Sequence, residues 1–363
     1  MEILYSKWRP DSMTDDKRLE DLLSVFSYLL IQTNGDIDEA LDWLEQLDQE
    51  YKLFNKDLTF SDFVDELKKQ GYIAEKEGMK ILTDKGSQKM RAESLKKIFS
   101  GMKPDASGFH ESNKSGRGID KLGELKKYEF GDQISNIDMT STLRNAFLKS
   151  DINSLNLEEE DIDVYETEHM TSCATVLMID ISHSMILYGE DRITPAKEVA
   201  LGLSELILTR YPKDKLNIVI FGDDAKEITV RDLPFLSVGP FHTNTKAGLS
   251  LARQILRKKG NVNKQIFMIT DGKPSALFTD DGRIYKNSFG LDPRIVNKTL
   301  DEAVACRKDM IKITTFMIAH DQYLINFIEE FTKANNGKAY YSDLDNLGQH
   351  IFVDYLKNRK RFN

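Results

Sequence analysis

Four apolar runs of strand length recur down the second half of the chain, and stretches of helical period separate them. The first is Val176-Leu177-Met178-Ile179, within a strand expected over 174–180, and runs at 215–221, 265–270 and 312–319 repeat the pattern. Shorter strands are expected at 226–230 and 338–342, and helices at about 195–211, 246–258, 293–309, 321–335 and 344–357. Strands that read as unbroken apolar runs, not as alternation, are buried on both faces. Strands alternating with helices imply a mostly parallel sheet with helices on both sides. In such sheets ligands bind beyond the carboxyl ends of the strands, where the strand order reverses.

The polar residues at two of those strand ends carry the chemistry. Asp180-Ile181-Ser182-His183-Ser184 follows the first apolar run, and Thr270-Asp271-Gly272 ends the run Ile266-Phe267-Met268-Ile269. Alternate residues of an extended chain point the same way, so Asp180, Ser182 and Ser184 bring three oxygen donors to one spot. Thr243-Asn244-Thr245 precedes a helical pattern and adds another hydroxyl. Oxygen-only donor sets select hard cations such as Mg²⁺, Mn²⁺ or Ca²⁺.

This constellation resembles the metal-ion-dependent adhesion site of von Willebrand factor A (VWA) domains. Asp180, Ser182, Ser184, Thr243 and Asp271 stand at its five positions, and the likeness covers about residues 172–357. It implies a Rossmann-like VWA fold, Mg²⁺ (or Mn²⁺ or Ca²⁺) at the strand ends, and a coordination position that accepts an Asp or Glu from a protein partner. In such a site Ser182, Ser184 and Thr243 are neutral donors, while Asp180 and Asp271 supply charge directly or through water. His183 and His242 flank metal positions and are read as rim groups, since imidazole is not a preferred Mg²⁺ ligand.

The surrounding rim is read from the same strand ends. Asp223-Asp224 follows the strand Ile218-Val219-Ile220-Phe221-Gly222, and turn formation is the first reading of these carboxylates. Glu190 and Asp191 lie close to the metal positions in sequence. The connection 273–293 is long for a strand-to-helix loop and follows Asp271 directly. Phe278, Tyr285 and Phe289 are candidate apolar anchors for a partner, and Lys273, Arg283 and Lys286 candidate contacts for its acids. A self-packed loop is the equal alternative. The loop 186–193 is expected beside it.

The first hundred residues read differently. Thr14-Asp15-Asp16 caps a helix to about Gln32, and Asn34-Gly35-Asp36 breaks it and caps a second with apolar Ile37, Ala40, Leu41, Leu44 and Leu47. Thr59 or Ser61 starts a third. Tyr72-Ile73-Ala74-Glu75 and Met79-Lys80-Ile81-Leu82 flank Lys76-Glu77-Gly78 as a hairpin, and a further helix starts near Ser87. Helices followed by this hairpin are similar to a winged helix, a family that often binds DNA. Here the third helix carries Asp62, Asp65 and Glu66 against Lys68 and Lys69, and acids there repel phosphate. A docking or structural role is therefore expected.

Residues 102–126 have linker composition, and His110 within them has no second ligand at metal spacing. Tyr128-Glu129-Phe130-Gly131-Asp132 and a short helix at 138–148 follow, then a candidate edge strand at 161–168 expected to pack before Val176. The domain division read from this is 1–101, winged-helix-like and helical; 102–160, linker and Phe-Gly-Asp segment; 161–357, VWA; and 358–363, a basic tail. VWA proteins linked to MoxR-type AAA+ ATPases often carry a similar Phe-Gly-Asp segment, so the resemblance implies such an ATPase, or its client, as partner.

Composition narrows the function. A net charge of −9 lacks the basic footprint of a general nucleic-acid binder. Cys173 and Cys306 are the only cysteines, too far apart for a metal or redox motif, and read as core residues of a reducing compartment. No window approaches the roughly 18 apolar residues of a membrane span, and the N-terminus has no signal core, so a cytoplasmic, bacterial-type protein is expected. No nucleophile elbow (Gly-x-Ser-x-Gly) and no phosphate-binding loop is present. Ser182 replaces the second acid that a haloacid-dehalogenase phosphatase needs. The expected function is non-catalytic, metal-dependent protein binding, as adaptor or co-chaperone of the ATPase. The alternatives are a metal-chelatase-like VWA subunit, which would ordinarily carry an acidic, proline-rich linker, and a winged-helix transcriptional regulator.

Overall fold

A computed structural model describes residues 15–101, 120–128, 137–149, 157–168, 172–189, 191–260, 262–271, 273–279, 281–287, 289–318, 322–341 and 347–360. The chain divides into two compact units. The larger takes in residues 1–103 and 173–354, the smaller residues 104–172 and 355–363.

The larger unit begins with α1 (Asp15–Gln32), α2 (Ile37–Tyr51) and α3 (Phe60–Lys69), then the hairpin β1 (Ile73–Lys76) and β2 (Met79–Leu82), then α4 (Asp84–Gly101). Each start has a local cause. Asp36 caps α2 by accepting from the Glu39 amide. Of the two candidate starts for α3, Thr59 is the one used: its hydroxyl accepts from the Asp62 amide, and the Asp62 carboxylate returns to the Thr59 amide. The hairpin turns through Glu77 and Gly78, both at positive φ, as a two-residue turn of the mirror-image type requires. Leu22, Leu30, Leu44, Phe63 and Leu67 form the buried core of this part.

The α/β part is a six-stranded sheet of order β12-β11-β8-β5-β6-β7. Its strands are β5 (Cys173–Asp180), β6 (Lys215–Phe221), β7 (Ala225–Ile228), β8 (Asn263–Thr270), β11 (Ile311–Met317) and β12 (Lys338–Tyr341). All neighbours are parallel except β6 and β7. Every residue of β5 is buried, as the unbroken apolar run requires. The helices are α6 (Ile193–Arg210), α7 (Thr245–Arg257), α8 (Pro293–Lys308), α9 (Gln322–Asn335) and α10 (Leu347–Lys360). On one face Met178, Val219 and Met268 pack with Leu249 of α7, Cys306 of α8 and Phe331 of α9. Both cysteines are buried and form no disulfide. From β5 the chain goes to β6 on one side and later to β8 on the other, so the strand order reverses at β5.

The start of α6 lies two residues before the 195 expected from the sequence. The helix begins at Ile193 with Arg192 at the cap position, and the Thr194 amide is held by the Asp191 carboxylate at 3.0 Å. An Asp side chain three residues ahead satisfies the open amide, so the Thr hydroxyl is not required there.

In the smaller unit β3 (Asp120–Lys127) pairs antiparallel with β4 (Asp163–Glu168), and α5 (Met139–Lys149) packs against β4. Two expectations are corrected. Residues 120–126 are strand, not linker, and 163–168 form no edge of the main sheet. The charge pattern explains both. The carboxylate of Asp163 would be costly at a buried sheet edge, whereas Lys127 stands opposite Asp163 and pairs with it at 2.9 Å. Asp163 also accepts from Ser141 and Asn145 of α5. Phe130-Gly131-Asp132 and His110 lie outside the described residues.

Candidate metal centre

β5 and β8 run side by side in register from Cys173↔Asn263 to Ile179↔Ile269. The next residues, Asp180 and Thr270-Asp271, therefore emerge together at the carboxyl end of the sheet, at the point where the strand order reverses. Asp180 is fully buried and Asp271 is 3% exposed. Asp180 Oδ1 accepts from the Ser182 amide at 2.9 Å, and Oδ2 accepts from the Thr270 hydroxyl at 2.7 Å. The Ser182 and Ser184 hydroxyl oxygens are 3.0 Å apart. Ser184 in turn hydrogen-bonds the Asp271 carboxylate.

Thr243 arrives from a third segment. Its amide donates to Ser275 Oγ at 2.9 Å, and its carbonyl accepts from the Ser275 and Ala276 amides. The His183 amide donates to the Phe241 carbonyl at 3.1 Å. These bonds tie the 241–243 segment both to the stretch after Asp271 and to the loop bearing the two serines. Asn244 then caps α7 through the Ala247 amide.

Electrostatics set the character of this cluster. Burial raises the Asp180 carboxyl above its ordinary range, and the neighbouring Asp271 carboxylate raises it further. Burial also raises Asp271, against the Ser184 hydrogen bond and the Arg192 guanidinium. Asp271 Oδ1 is buried with no hydrogen-bond partner. A carboxylate oxygen left bare in the interior is costly. Two buried acids, one bare oxygen and a pair of hydroxyls form an all-oxygen set that fits a hard divalent cation.

The rim residues divide. The β9 (Ala276–Phe278) and β10 (Ile284–Lys286) strands make a hairpin out of the long connection. Tyr285 is committed within it: its hydroxyl donates to Asp292 at 2.9 Å, and Arg294 lies over its ring. Arg283 pairs with Asp281 at 3.4 Å. Lys286 pairs with Asp223, which also accepts from the His242 amide at 2.8 Å. Partial burial works to raise the Asp223 carboxyl, but Lys286 and the His242 amide together hold it below its usual range. Phe289 is 90% exposed, and Phe278 and Ile186 are partly exposed. Lys273 follows Asp271 after one residue and hydrogen-bonds that carboxylate through its backbone. Glu190 lies outside the described residues. Three contributors had no sequence signal of their own: Thr270, Ser275 and Arg192, whose Nη1 is 3.7 Å from Asp271 Oδ2.

Comparison with known proteins matches this region as a unit. The vWA domain of Rv0959-like proteins covers residues 173–356, from the first residue of β5 into α10. The chain belongs to the Rv0959-like vWA family. The third domain of the same proteins matches residues 120–167, the β3–α5–β4 unit. "Uncharacterized protein Rv0959" of Mycobacterium tuberculosis and "Uncharacterized protein Mb0984" of Mycobacterium bovis are each 30% identical over 261 residues, 70% of this chain. The match spans 38% of those relatives' length. Among solved structures, the SpRpn10 VWA domain shows 16% identity over 50% of this chain and 95% of its own, with a TM-score of 0.37. The vWF domain of the type V pili tip protein Mfa5 from Porphyromonas gingivalis shows 14% identity over 52% of this chain and 97% of its own, with a TM-score of 0.41. No helix among the described residues is long and apolar enough to cross a membrane.

Proposed function

We propose that this vWA protein is a non-catalytic binding protein that holds Mg²⁺ or Mn²⁺ and uses the ion to grip a partner protein. The observation that carries the reading is the bare, buried Asp271 Oδ1 beside Asp180, Ser182 and Ser184. Asp180, Ser182, Ser184, Thr243 and Asp271 would hold the ion. A bound ion would supply Lewis acidity toward an incoming carboxylate. The residues of the chain do the rest: Thr270 and the Ser182 amide orient Asp180, and Ser275 positions Thr243. With only two carboxylates in the set, an Asp or Glu of the partner is a favourable addition to a hard cation. The partner proposed is a MoxR-type AAA+ ATPase or its client, for which the chain would act as adaptor or co-chaperone, on the resemblance of its VWA site and Phe-Gly-Asp segment to proteins linked with such ATPases. A DNA-binding role is not favoured, because Asp62 and Asp65 are exposed on α3 and would oppose phosphate.

Calorimetry with Mn²⁺ tests the site. The intact chain should bind one ion, and Asp180→Ala should abolish the heat while circular dichroism stays native. Equal binding by both proteins would refute the assignment. Pull-down of the ATPase in Mg²⁺ and in EDTA tests the use of the ion: recovery should be lost with the chelator, and equal recovery would place the interface elsewhere.

A further inference from the structure

Arg192 is a cation inside the anionic cluster. It stands at the cap of α6, and its amide donates to the Met185 carbonyl at 3.0 Å, in the turn that carries Ser184. Its side chain is 12% exposed, and Nη1 lies 3.7 Å from Asp271 Oδ2. That spacing is an ion contact and too long for a hydrogen bond. The guanidinium therefore offsets the charge of Asp271 without covering Oδ1, which stays bare.

We propose that Arg192 is a built-in competitor for the metal site: it serves as counter-ion to Asp271 when no metal is bound, and it weakens divalent-cation binding there. This rests on the metal-site reading above. The charge balance gives the reason. Two ionised carboxylates and one guanidinium sum to −1, so a dication must enter against a like charge held close by in a dry site, where such repulsion is poorly screened. A loaded site then carries a net charge of +1, and a partner carboxylate brings it to neutrality. Without Arg192 the loaded site would already be neutral, and the incentive for the partner would fall. Arg192 thereby transfers part of the ion's binding strength from the empty site to the ternary complex.

The 363-residue chain with Mn²⁺ alone as probe provides the test, by calorimetry and by thermal unfolding with and without the ion. Arg192→Gln should tighten Mn²⁺ binding by about tenfold, a loss of repulsion on the order of one decade in affinity. Metal-free Arg192→Gln should melt lower than the parent, since Asp271 loses its counter-ion. The rise in Tm with saturating Mn²⁺ should be larger in the variant than in the parent, as tighter binding requires. If the variant is unfolded without metal, refolding in Mn²⁺ should recover it, and failure to recover would overturn the proposal. A parent that binds Mn²⁺ and a folded variant that binds it equally or more weakly would overturn the role of Arg192 and leave the metal site standing. No Mn²⁺ binding by either protein would remove both.

Discussion

Single residues in the buried acid–hydroxyl cluster were legible where position along one strand decides which side chains meet. Asp180, Ser182 and Ser184 sit two apart at the end of an apolar run, and Asp271 ends the neighbouring one. Thr270, Ser275 and Arg192 were not legible, because each acts on a residue from another segment. Thr270 is ordinary strand composition until β8 lies beside β5 and its hydroxyl meets Asp180. Thr270→Val keeps the shape and removes that donor. The fold should survive with a loss of about 1–2 kcal/mol, read by urea denaturation, and an unchanged midpoint would show that the bond carries no weight. Lys197 of α6 is another such residue. It is fully buried, and its ammonium donates to Asn34 Oδ1 at 2.6 Å, the Ile31 carbonyl at 3.0 Å and the Pro234 carbonyl at 3.5 Å. Burial lowers it from 10.5 to about 8, against Asp191, which works upward. The unfolded chain therefore keeps this proton to higher pH than the folded one, so from about 8 to 10.5 stability should rise with pH through Lys197. Lys197→Met removes the donor to all three acceptors and should be less stable than the parent throughout. The gap should widen between pH 7.5 and pH 9.5 in paired urea titrations, and a gap independent of pH would show that Lys197 does not titrate in this window.

At the scale of elements, periodicity located the helices and the longer strands of both parts to within a few residues, because each buries a face set by its own local pattern, whereas the short β9–β10 hairpin lay in what read as a loop. The β3–β4 pair escaped that logic. Its strands are short of apolar residues and complete each other by charge, Lys127 against Asp163, and 35 residues lie between those partners, so the alternation at 161–168 announced one strand but neither β3 nor the pairing. The packing of α4 on α6 was equally hidden. It depends on Gly202, where an added Cβ would lie 2.9 Å from Ile98 Cδ1 and 3.3 Å from the Leu95 backbone. A mid-helix glycine ordinarily costs about 1 kcal/mol relative to alanine, so its presence here is explained by close approach of the two helices. Gly202→Leu should force α4 off α6 despite the gain in helix propensity. Amide exchange should then speed up along 84–98 while β5 and β8 remain protected, and unaltered protection of α4 would refute the account.

At the scale of the molecule, the α/β part and the first hundred residues form one compact unit, which the sequence, read as separate domains, did not convey. Charged pairs join them along α6. Arg91 Nε meets Glu205 at 3.0 Å with both side chains largely buried, and Lys97 meets Glu198 at 2.7 Å while lying over the Tyr28 ring. None of these residues belongs to an apolar stripe, and each partner is more than a hundred positions away, so pattern alone could not pair them. The same helix starts immediately after Arg192. The N-terminal helices thus grip the element whose first turn borders the Asp180–Asp271 cluster. Reversing one charge should separate the contribution of the pair from that of the surrounding packing. Arg91→Glu places two acids together at a poorly solvated contact and should cost about 2–4 kcal/mol, since an uncompensated buried charge is costly. Glu205→Arg should cost a similar amount by opposing Arg91. The two together restore opposite charges and should recover at least 1 kcal/mol beyond the sum of the single effects, the signature of a direct pairwise coupling. Thermal unfolding of the four proteins completes the cycle. Strict additivity would mean that the contact between the two parts is held by Gly202 and its apolar neighbours alone, and that the Arg91–Glu205 pair is incidental to it.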